Sequence, residues 1–130
     1  MKAVDTNVLV RYLVGDDPLQ SRKAAHFLRR QCSANDPCLV NRIVLCELVW
    51  VLQRAYGYSR EQIASAVEAL LNVRQLVIED HDEASMALKE FRGGAGFADS
   101  LLGQINRRFG CEYTVTLNRE ASRRPGFRLL

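Results

Sequence analysis

The sequence predicts an α/β protein, a three-layer α/β/α sandwich with a short central parallel sheet between its helices. The first observation behind this prediction is that short apolar runs alternate with longer segments of helical periodicity, a pattern typical of parallel strands joined by helical crossovers. The second is the length of 130 residues with 48% hydrophobic and 25% charged residues, which suits a single domain over residues 1–130 with its own core.

The expected strands are short apolar runs, each bounded by turn-forming or polar residues. Runs of this kind are typical of strands that are buried in a parallel sheet. They are Ala3–Val4, Cys38–Val40, Leu76–Ile78, Tyr113–Thr116 and, as an edge strand, Phe127–Leu130.

Local signals place helices between these strands. Asp17 and Pro18 form an N-cap and a first helical position. Gly57 ends one helix, and the segment 59–62 is a capping box for the next. The acids of segment 79–83 precede a further helix, and the helix dipole explains them without a metal. Helical segments are accordingly expected over residues 8–13, 18–32, 43–52, 59–71, 84–91, 97–110 and 117–121.

The first strand ends in a carboxylate, within the tripeptide Asp5-Thr6-Asn7. In an open α/β sheet, ligands bind at the turns after the strands, at the carboxyl ends. Asp5 is then expected near the centre of the sheet with its side chain free, and Thr6 and Asn7 can cap the helix and support the carboxylate. The simpler interpretation is that Asp5 only caps the following helix, and the tripeptide alone favours it.

Glu47 is the one charged residue in the apolar stretch 43–52. The spacing of that stretch predicts a helix that is covered nearly all round. A carboxylate buried there without a partner costs on the order of several kcal/mol, so Glu47 needs a cation or a polar cavity. A salt bridge to Arg42 or Arg54 would also satisfy it, and the sequence leaves that alternative open.

Asp99 is a third acid in an otherwise apolar pattern, in the first turn of the helix that starts at Phe97. With Asp5 and Glu47 it can converge at the carboxyl edge of the sheet. Carboxylates brought together repel one another unless a cation intervenes, and all-oxygen ligation favours Mg²⁺ or Mn²⁺. Such a metal activates a water for attack on a phosphodiester, and the sequence offers no Ser-His-Asp or Cys-His arrangement for other hydrolytic chemistry.

Four segments carry these residues in an order and at a chain length that resemble the PIN domain: 5–7, 45–52, 97–101 and 114–119. More narrowly, the set resembles the VapC toxins of bacterial toxin–antitoxin pairs. The resemblance implies a Mg²⁺- or Mn²⁺-dependent endoribonuclease that hydrolyses RNA and forms a homodimer. It also implies neutralisation by a VapB-like antitoxin that inserts a segment into the active site, with DNA reached only through that antitoxin.

The resemblance assigns roles to individual residues. Asp5, Glu47 and Asp99 match the metal-binding and catalytic acids of the family. Thr6 and Thr116 match hydroxyls that commonly support the site.

The chain departs from the family pattern at two positions. Asn118 stands where these sequences often carry a further Asp, and Gly96 stands where an Asp often precedes the phenylalanine. Because Asn is neutral, a second metal ion should bind more weakly, although the amide oxygen of Asn118 can still ligate a metal or orient a water. Asn118 therefore keeps an alternative open, a catalytically impaired PIN-like module that binds RNA or an antitoxin without efficient cleavage.

The last quarter of the chain is basic. Arginines stand at positions 107, 108, 119, 123, 124 and 128, against Glu112 and Glu120. Such a segment can face a polyanion, while a solvated surface or an acidic partner explains it equally well. The candidates for contacts with RNA phosphates, chosen for their nearness in sequence to the motif segments, are Arg11, Arg92, Arg119 and Arg123.

Phosphoryl chemistry at Asp5 itself is a third interpretation. A phosphatase of the haloacid dehalogenase type would need a second Asp two residues later, where the chain has Asn7. A receiver domain would need a Lys near the end, and Lys89 is the last lysine. The sequence therefore disfavours both.

The cysteines and the start of the chain bear on the compartment. The four cysteines, Cys32, Cys38, Cys46 and Cys111, are scattered without metal or redox spacing, so reduced thiols in a cytoplasmic protein are expected. Met1 and Lys2 lead directly into the first strand, which leaves no room for a signal peptide, and no apolar run approaches the ~18 residues of a membrane span.

Overall fold

The structure is a computed structural model that describes residues Met1–Leu130. Helices alternate with short strands, and the chain divides into two units, Met1–His81 and Asp82–Leu130. The elements are β1 (Lys2–Ala3), α1 (Thr6–Val14), α2 (Pro18–Arg30), β2 (Cys38–Val40), α3 (Arg42–Arg54), α4 (Arg60–Leu71), β3 (Leu76–Ile78), α5 (His81–Arg92), α6 (Phe97–Arg108), β4 (Thr114–Thr116), α7 (Arg119–Ser122) and β5 (Phe127–Leu129).

The first unit is built on a parallel three-stranded sheet in the order β1-β2-β3. Ala3 pairs with Leu39, and Leu39 pairs with Val77. The predicted α/β class and the parallel sheet are therefore confirmed. The position of β1 differs from the prediction, because β1 is an outer strand of this sheet and not a central one. The reason is that β4 pairs with β5 in a separate sheet of the second unit.

The helices of the first unit form where local caps and an apolar stripe coincide. Asp17 caps α2 by accepting a hydrogen bond from the Gln20 N–H (3.1 Å), with Pro18 at the first position. Ser59 and Gln62 form both bonds of the capping box of α4, as predicted. Helix α1 packs against α2 and α3, and α3 packs against α4. The stripe that α3 buries consists of Val44, Leu45, Leu48, Val49 and Leu52.

The second unit contains the parallel strand pair β4-β5, in which Thr114 lies opposite Phe127. Helix α6 accommodates the Phe127 ring at Gly103, where a Cβ atom would lie 2.7 Å from the ring carbon Cε2. Because Gly103 has no Cβ, the ring can approach the helix this closely. Asp82 and Glu83 occupy the first turn of α5, which supports the helix-dipole explanation of that acidic segment.

The prediction of four reduced cysteines is wrong for two of them. Cys32 and Cys38 form a disulfide with an S–S distance of 2.09 Å. Sequence spacing could not show this, because the pair is brought together by the loop that leads from the end of α2 into β2. Cys46 and Cys111 are free, and burial raises the pKa of the Cys46 thiol. No helix combines the length and the apolar character that a membrane span requires.

Candidate functional site

Asp5 directly follows β1 and caps α1. Its backbone is extended, and its Oδ1 atom accepts a hydrogen bond from the Val8 N–H at 3.2 Å. The N-cap interpretation is therefore confirmed, but capping occupies only one carboxylate oxygen of this exposed residue and leaves Oδ2 without a protein partner. The expectation that Thr6 and Asn7 cap the helix is wrong, because both lie inside α1, after the cap.

Glu47 lies on the exposed side of α3. The prediction that this helix is covered nearly all round is wrong. One stripe of the helix faces solvent, and two residues of that stripe are apolar. Ile43 is 66% exposed and Trp50 is 60% exposed, and Glu47 lies between them on that stripe. Counting apolar residues overestimated the coverage, since the sequence does not show which apolar stripe meets the rest of the unit.

The salt bridge that would have neutralised Glu47 is not formed. Arg42 instead contacts Glu79, whose Oε1 accepts from the Arg42 backbone N–H at 2.8 Å and from Nε at 3.3 Å. The same Nε atom lies 3.3 Å from Oδ2 of Asp80. Arg54 lies over the Trp50 ring, 5.8 Å from its centroid. Glu47 is consequently an exposed carboxylate without a protein cation.

The carboxyl edge of the first unit's sheet carries three polar residues, one after each strand. Asp5 follows β1, Asn41 follows β2 and Glu79 follows β3, and the parallel register brings them to the same edge. Asn41 caps α3 by accepting from the Val44 N–H at 3.0 Å. Since Arg42 neutralises Glu79, Asp5 is the acid at this edge that has no protein cation. Sequence reasoning missed Asn41, although its position after a strand, like that of Asp5, was a usable signal, and it assigned Arg42 to Glu47 and not to Glu79.

In the second unit, Asp99 is exposed in the first turn of α6. Gly96 is the N-cap and provides no side-chain cap, and its ideal Cβ position lies 3.5 Å from Oδ2 of Asp99. The carboxylate is thus turned back towards the helix start, where the helix dipole favours a negative charge. The next residue, Ser100, is 2% exposed, and its hydroxyl has no hydrogen-bond partner.

Thr116 and Asn118 form a tight turn after β4. The Thr116 hydroxyl oxygen accepts a hydrogen bond from the Asn118 N–H at 3.0 Å. The Asn118 amide oxygen accepts from the N–H groups of Glu120 (2.9 Å) and Ala121 (3.2 Å), and so caps α7. A carbonyl oxygen has two lone pairs, and both are used here. The amide oxygen that the sequence offered as a metal ligand is therefore a helix cap in this structure.

Arg11 is committed to the first unit. Its guanidinium donates to Gln20 at 2.6 Å, to Asp16 at 3.1 Å and to the Tyr56 hydroxyl at 3.2 Å. Desolvation raises the pKa of the Asp16 carboxyl, but the hydrogen bond from Tyr56 and the charge of Arg11 outweigh it and hold that pKa below its ordinary value. Desolvation lowers the pKa of Arg11, and the interactions with Asp16 and Tyr56 outweigh that effect and raise it.

The other candidate cations lie in the second unit and are exposed. Arg119 and Arg123 belong to α7 and to its C-cap, one helical turn apart. Arg92 ends α5. Arg119 and Arg123 are therefore available to an external anion, in contrast to Arg11.

The donor chemistry of the candidate acids suits a hard cation. Asp5 and Glu47 in the first unit, and Asp99 in the second, offer carboxylate oxygens without a competing protein cation, and Mg²⁺ and Mn²⁺ prefer oxygen ligands. The structure contains no group of three or more His, Cys, Asp or Glu side chains that could hold a metal ion.

The parallel strands joined by helices make this an α/β protein, and its three candidate acids, Asp5, Glu47 and Asp99, lack a protein cation. Comparison with known families specifies the class further. The chain belongs to the PIN-domain family, whose model matches residues 2–126. It is 28% identical over 120 residues to a VapC ribonuclease of Aquifex aeolicus (strain VF5), and the match covers 92% of this chain and 88% of that protein. No solved structure gives a significant match. The predicted resemblance to VapC-like PIN domains is thereby confirmed.

Proposed function

We propose that the protein is an endoribonuclease toxin of the VapC type, which hydrolyses RNA phosphodiester bonds and is neutralised by a cognate VapB-like antitoxin. The observation that carries the proposal is the contrast among the acids. Asp5, Glu47 and Asp99 are exposed and lack a protein cation, whereas Glu79 and Asp80 share Arg42. The similarity to the VapC ribonuclease, which extends over nearly the whole chain, supports the same function.

The three acids would hold Mg²⁺ or Mn²⁺. The bound cation would supply polarisation of a phosphoryl oxygen and activation of a water for in-line attack. The chain contributes positioning. The Val8 N–H fixes one oxygen of Asp5, and the first turn of α6 holds Asp99 at the start of that helix. Thr116 stabilises the turn that carries Asn118.

The remaining parts of the proposal concern assembly. We infer that both units act as one PIN-like domain, since the family match crosses their boundary. The protein is proposed to form a homodimer in the cytoplasm, to bind RNA and antitoxin, and to reach DNA only through the antitoxin. Arg92, Arg119 and Arg123 remain candidates for RNA phosphates. Arg11 is better explained as a structural residue, because three partners already use its guanidinium.

The test is cleavage of labelled RNA by purified, antitoxin-free protein in Mn²⁺ or Mg²⁺, beside an EDTA control. Asp5→Asn is the informative variant, because Asn caps a helix as well as Asp does, so the fold is kept while the charge is lost. Asp17→Asn is its matched control, since Asp17 caps α2 with the same geometry. Cleavage that requires metal, disappears in Asp5→Asn and survives in Asp17→Asn is the expected result. Equal cleavage by both variants would refute the assignment of Asp5.

The second candidate is the catalytically impaired PIN-like module. The observation that favours it is the Asn118 amide oxygen, which caps α7 and is therefore not free to bind a metal. This candidate predicts RNA or antitoxin binding without metal-dependent cleavage. Absence of cleavage in a folded protein that binds RNA, with cleavage gained by Asn118→Asp, would establish it.

A further inference from the structure

Helix α2 is a basic helix without acids. Its 13 residues include Arg22, Lys23, Arg29 and Arg30 and no Asp or Glu. The net charge of this helix is therefore +4, whereas the whole chain has a formal net charge of +3. A helix with such a charge surplus attracts a polyanion.

These cations line a groove in the first unit. The groove has a volume of about 850 Å³ and lies along the face of α2 that carries positions 22, 26, 29 and 30. Tyr12 of α1 contributes an aromatic ring that is 43% exposed. The groove thus combines three guanidinium groups, an imidazole and a phenol ring.

The guanidinium groups of the groove are not neutralised within the protein. Arg22, Arg29 and Arg30 are exposed and form no ion pair, whereas Lys2, Arg42 and Arg108 each pair with a carboxylate. Lys2 pairs with Asp36, for example, and Arg108 pairs with Glu83. A phosphate that enters the groove would therefore not have to displace a carboxylate.

The groove composition favours RNA over an acidic protein segment. Protein segments bind grooves through apolar anchors, and the only aliphatic side chain in this lining is that of Ala25. Single-stranded nucleic acid instead uses a cationic track for its phosphates and flat rings for its bases. Tyr12 and His26 provide such rings beside the guanidinium groups.

The groove also lies close to a candidate catalytic residue. Tyr12 is seven residues after Asp5 on the same helix, which corresponds to about 10 Å along the helix axis. On another side of α2, Asn7 of the candidate motif and Lys23 line a smaller groove of about 250 Å³ between α1 and α2. A strand bound at Asp5 can therefore reach the larger groove at Tyr12.

We propose that the groove of Tyr12, Arg22, His26, Arg29 and Arg30 binds the phosphate backbone of single-stranded RNA next to the position of cleavage. This inference rests on the proposed function, since it names the surface that holds the substrate. It adds a surface that the candidate arginines of the motif segments do not include.

The test measures binding without cleavage. Fluorescence anisotropy with a labelled single-stranded RNA is recorded in EDTA, with Asp5→Asn protein, over a series of salt concentrations. The groove variant is Arg22→Gln/Arg29→Gln/Arg30→Gln on the same background. Affinity falls with salt, and each phosphate contact contributes about 0.7 to the steepness of log K against log salt. Losing three contacts should therefore make the slope shallower by about 2 and reduce the affinity at 0.1 M salt roughly 100-fold.

The control removes the same charge elsewhere. Arg54→Gln/Arg74→Gln/Lys89→Gln changes three exposed cations outside the groove and should leave affinity and slope nearly unchanged. Thermal melting verifies that both triple variants fold. If the groove variant does not fold, the single variants Arg22→Gln and Arg29→Gln replace it, and each should lower the slope by about 0.7.

Two outcomes overturn the proposal. The first is equal RNA affinity of the groove and control variants. The second is that the protein binds polyglutamate as tightly as RNA and that the groove variant loses affinity for both. That result would assign the surface to an acidic protein partner. Because the assay needs no cleavage, the groove proposal can fail while the nuclease proposal stands, and the reverse. A protein that cleaves nothing but binds RNA through the groove refutes only the nuclease, and a nuclease whose groove variant binds normally refutes only the groove.

Discussion

Asn118 offers the sharpest test of how the second unit combines structure and chemistry. Its amide oxygen accepts two backbone hydrogen bonds, from Glu120 (2.9 Å) and Ala121 (3.2 Å). Asn118→Ala removes both, and loss of an N-cap costs about 1 kcal/mol. For a chain of this size that loss lowers the melting temperature by about 3–5 °C.

Asn118→Asp should behave differently from Asn118→Ala. Aspartate caps as well as asparagine, and its charge interacts favourably with a helix N-terminus, so its unfolding free energy should stay within about 0.5 kcal/mol of the wild type. The same substitution adds the carboxylate that VapC-like sequences often carry at this position. It should therefore strengthen Mn²⁺ binding and raise metal-dependent RNA cleavage severalfold.

The assays are urea unfolding in EDTA and RNA cleavage over a Mn²⁺ titration. Asn41→Ala is the control for stability, since Asn41 caps α3 through a single bond to Val44. Asn35→Asp, in an exposed loop, is the control for added charge. An Asn118→Ala protein as stable as the wild type would show that the cap contributes nothing. An Asn118→Asp protein that is stable but no more active than Asn35→Asp would refute a metal-supporting role for this position.

Further predictions concern stability. Gly103→Ala should lower the unfolding free energy measured in urea by up to about 2 kcal/mol, because overpacking against Phe127 outweighs the gain in helix propensity. Adding Phe127→Leu should restore part of that stability, and a Gly103→Ala protein that is more stable than the wild type would contradict the close contact. Reducing the disulfide should lower the unfolding free energy by about 2 kcal/mol for its short loop, and mass spectrometry after alkylation should find two free thiols before reduction and four after it. Tyr56→Phe should destabilise the protein at neutral pH by removing a bond to Asp16. That bond lowers the folded-state pKa of Asp16, so the stabilisation is present above the unfolded pKa of about 3.9 and is lost as the pH falls through the folded value. The unfolding free energies of wild type and variant, plotted against pH, should therefore converge below about pH 4.

The parts of the fold that depend on short stretches of chain could be predicted from the sequence. Strands β2 and β3 have the predicted bounds, because each is an apolar run with turn residues on both sides. The cap at Asp17 and the capping box at Ser59 were also correct, since a cap involves residues only three positions apart.

Features that depend on distant packing could not be predicted. Whether Ile43 and Trp50 face the core or solvent depends on where the rest of the unit lies, and the sequence has no signal for it. The disulfide depends on the path of the chain between α2 and β2. The use of the Asn118 oxygen depends on the turn after β4, which the family pattern of residue types does not describe.

The distribution of cations distinguishes the candidate acids from the acid-rich segment 79–83. The acid-rich segment 79–83 is the most conspicuous one in the sequence, yet Arg42 contacts Glu79 and Asp80, and Arg108 contacts Glu83. Asp5, Glu47 and Asp99 are isolated acids that attract less attention, but the structure leaves them without a cation. A paired carboxylate must give up its partner before it can bind a metal ion, whereas an unpaired exposed carboxylate has only water to lose. The unpaired acids are therefore the ones at which a divalent cation should bind most readily.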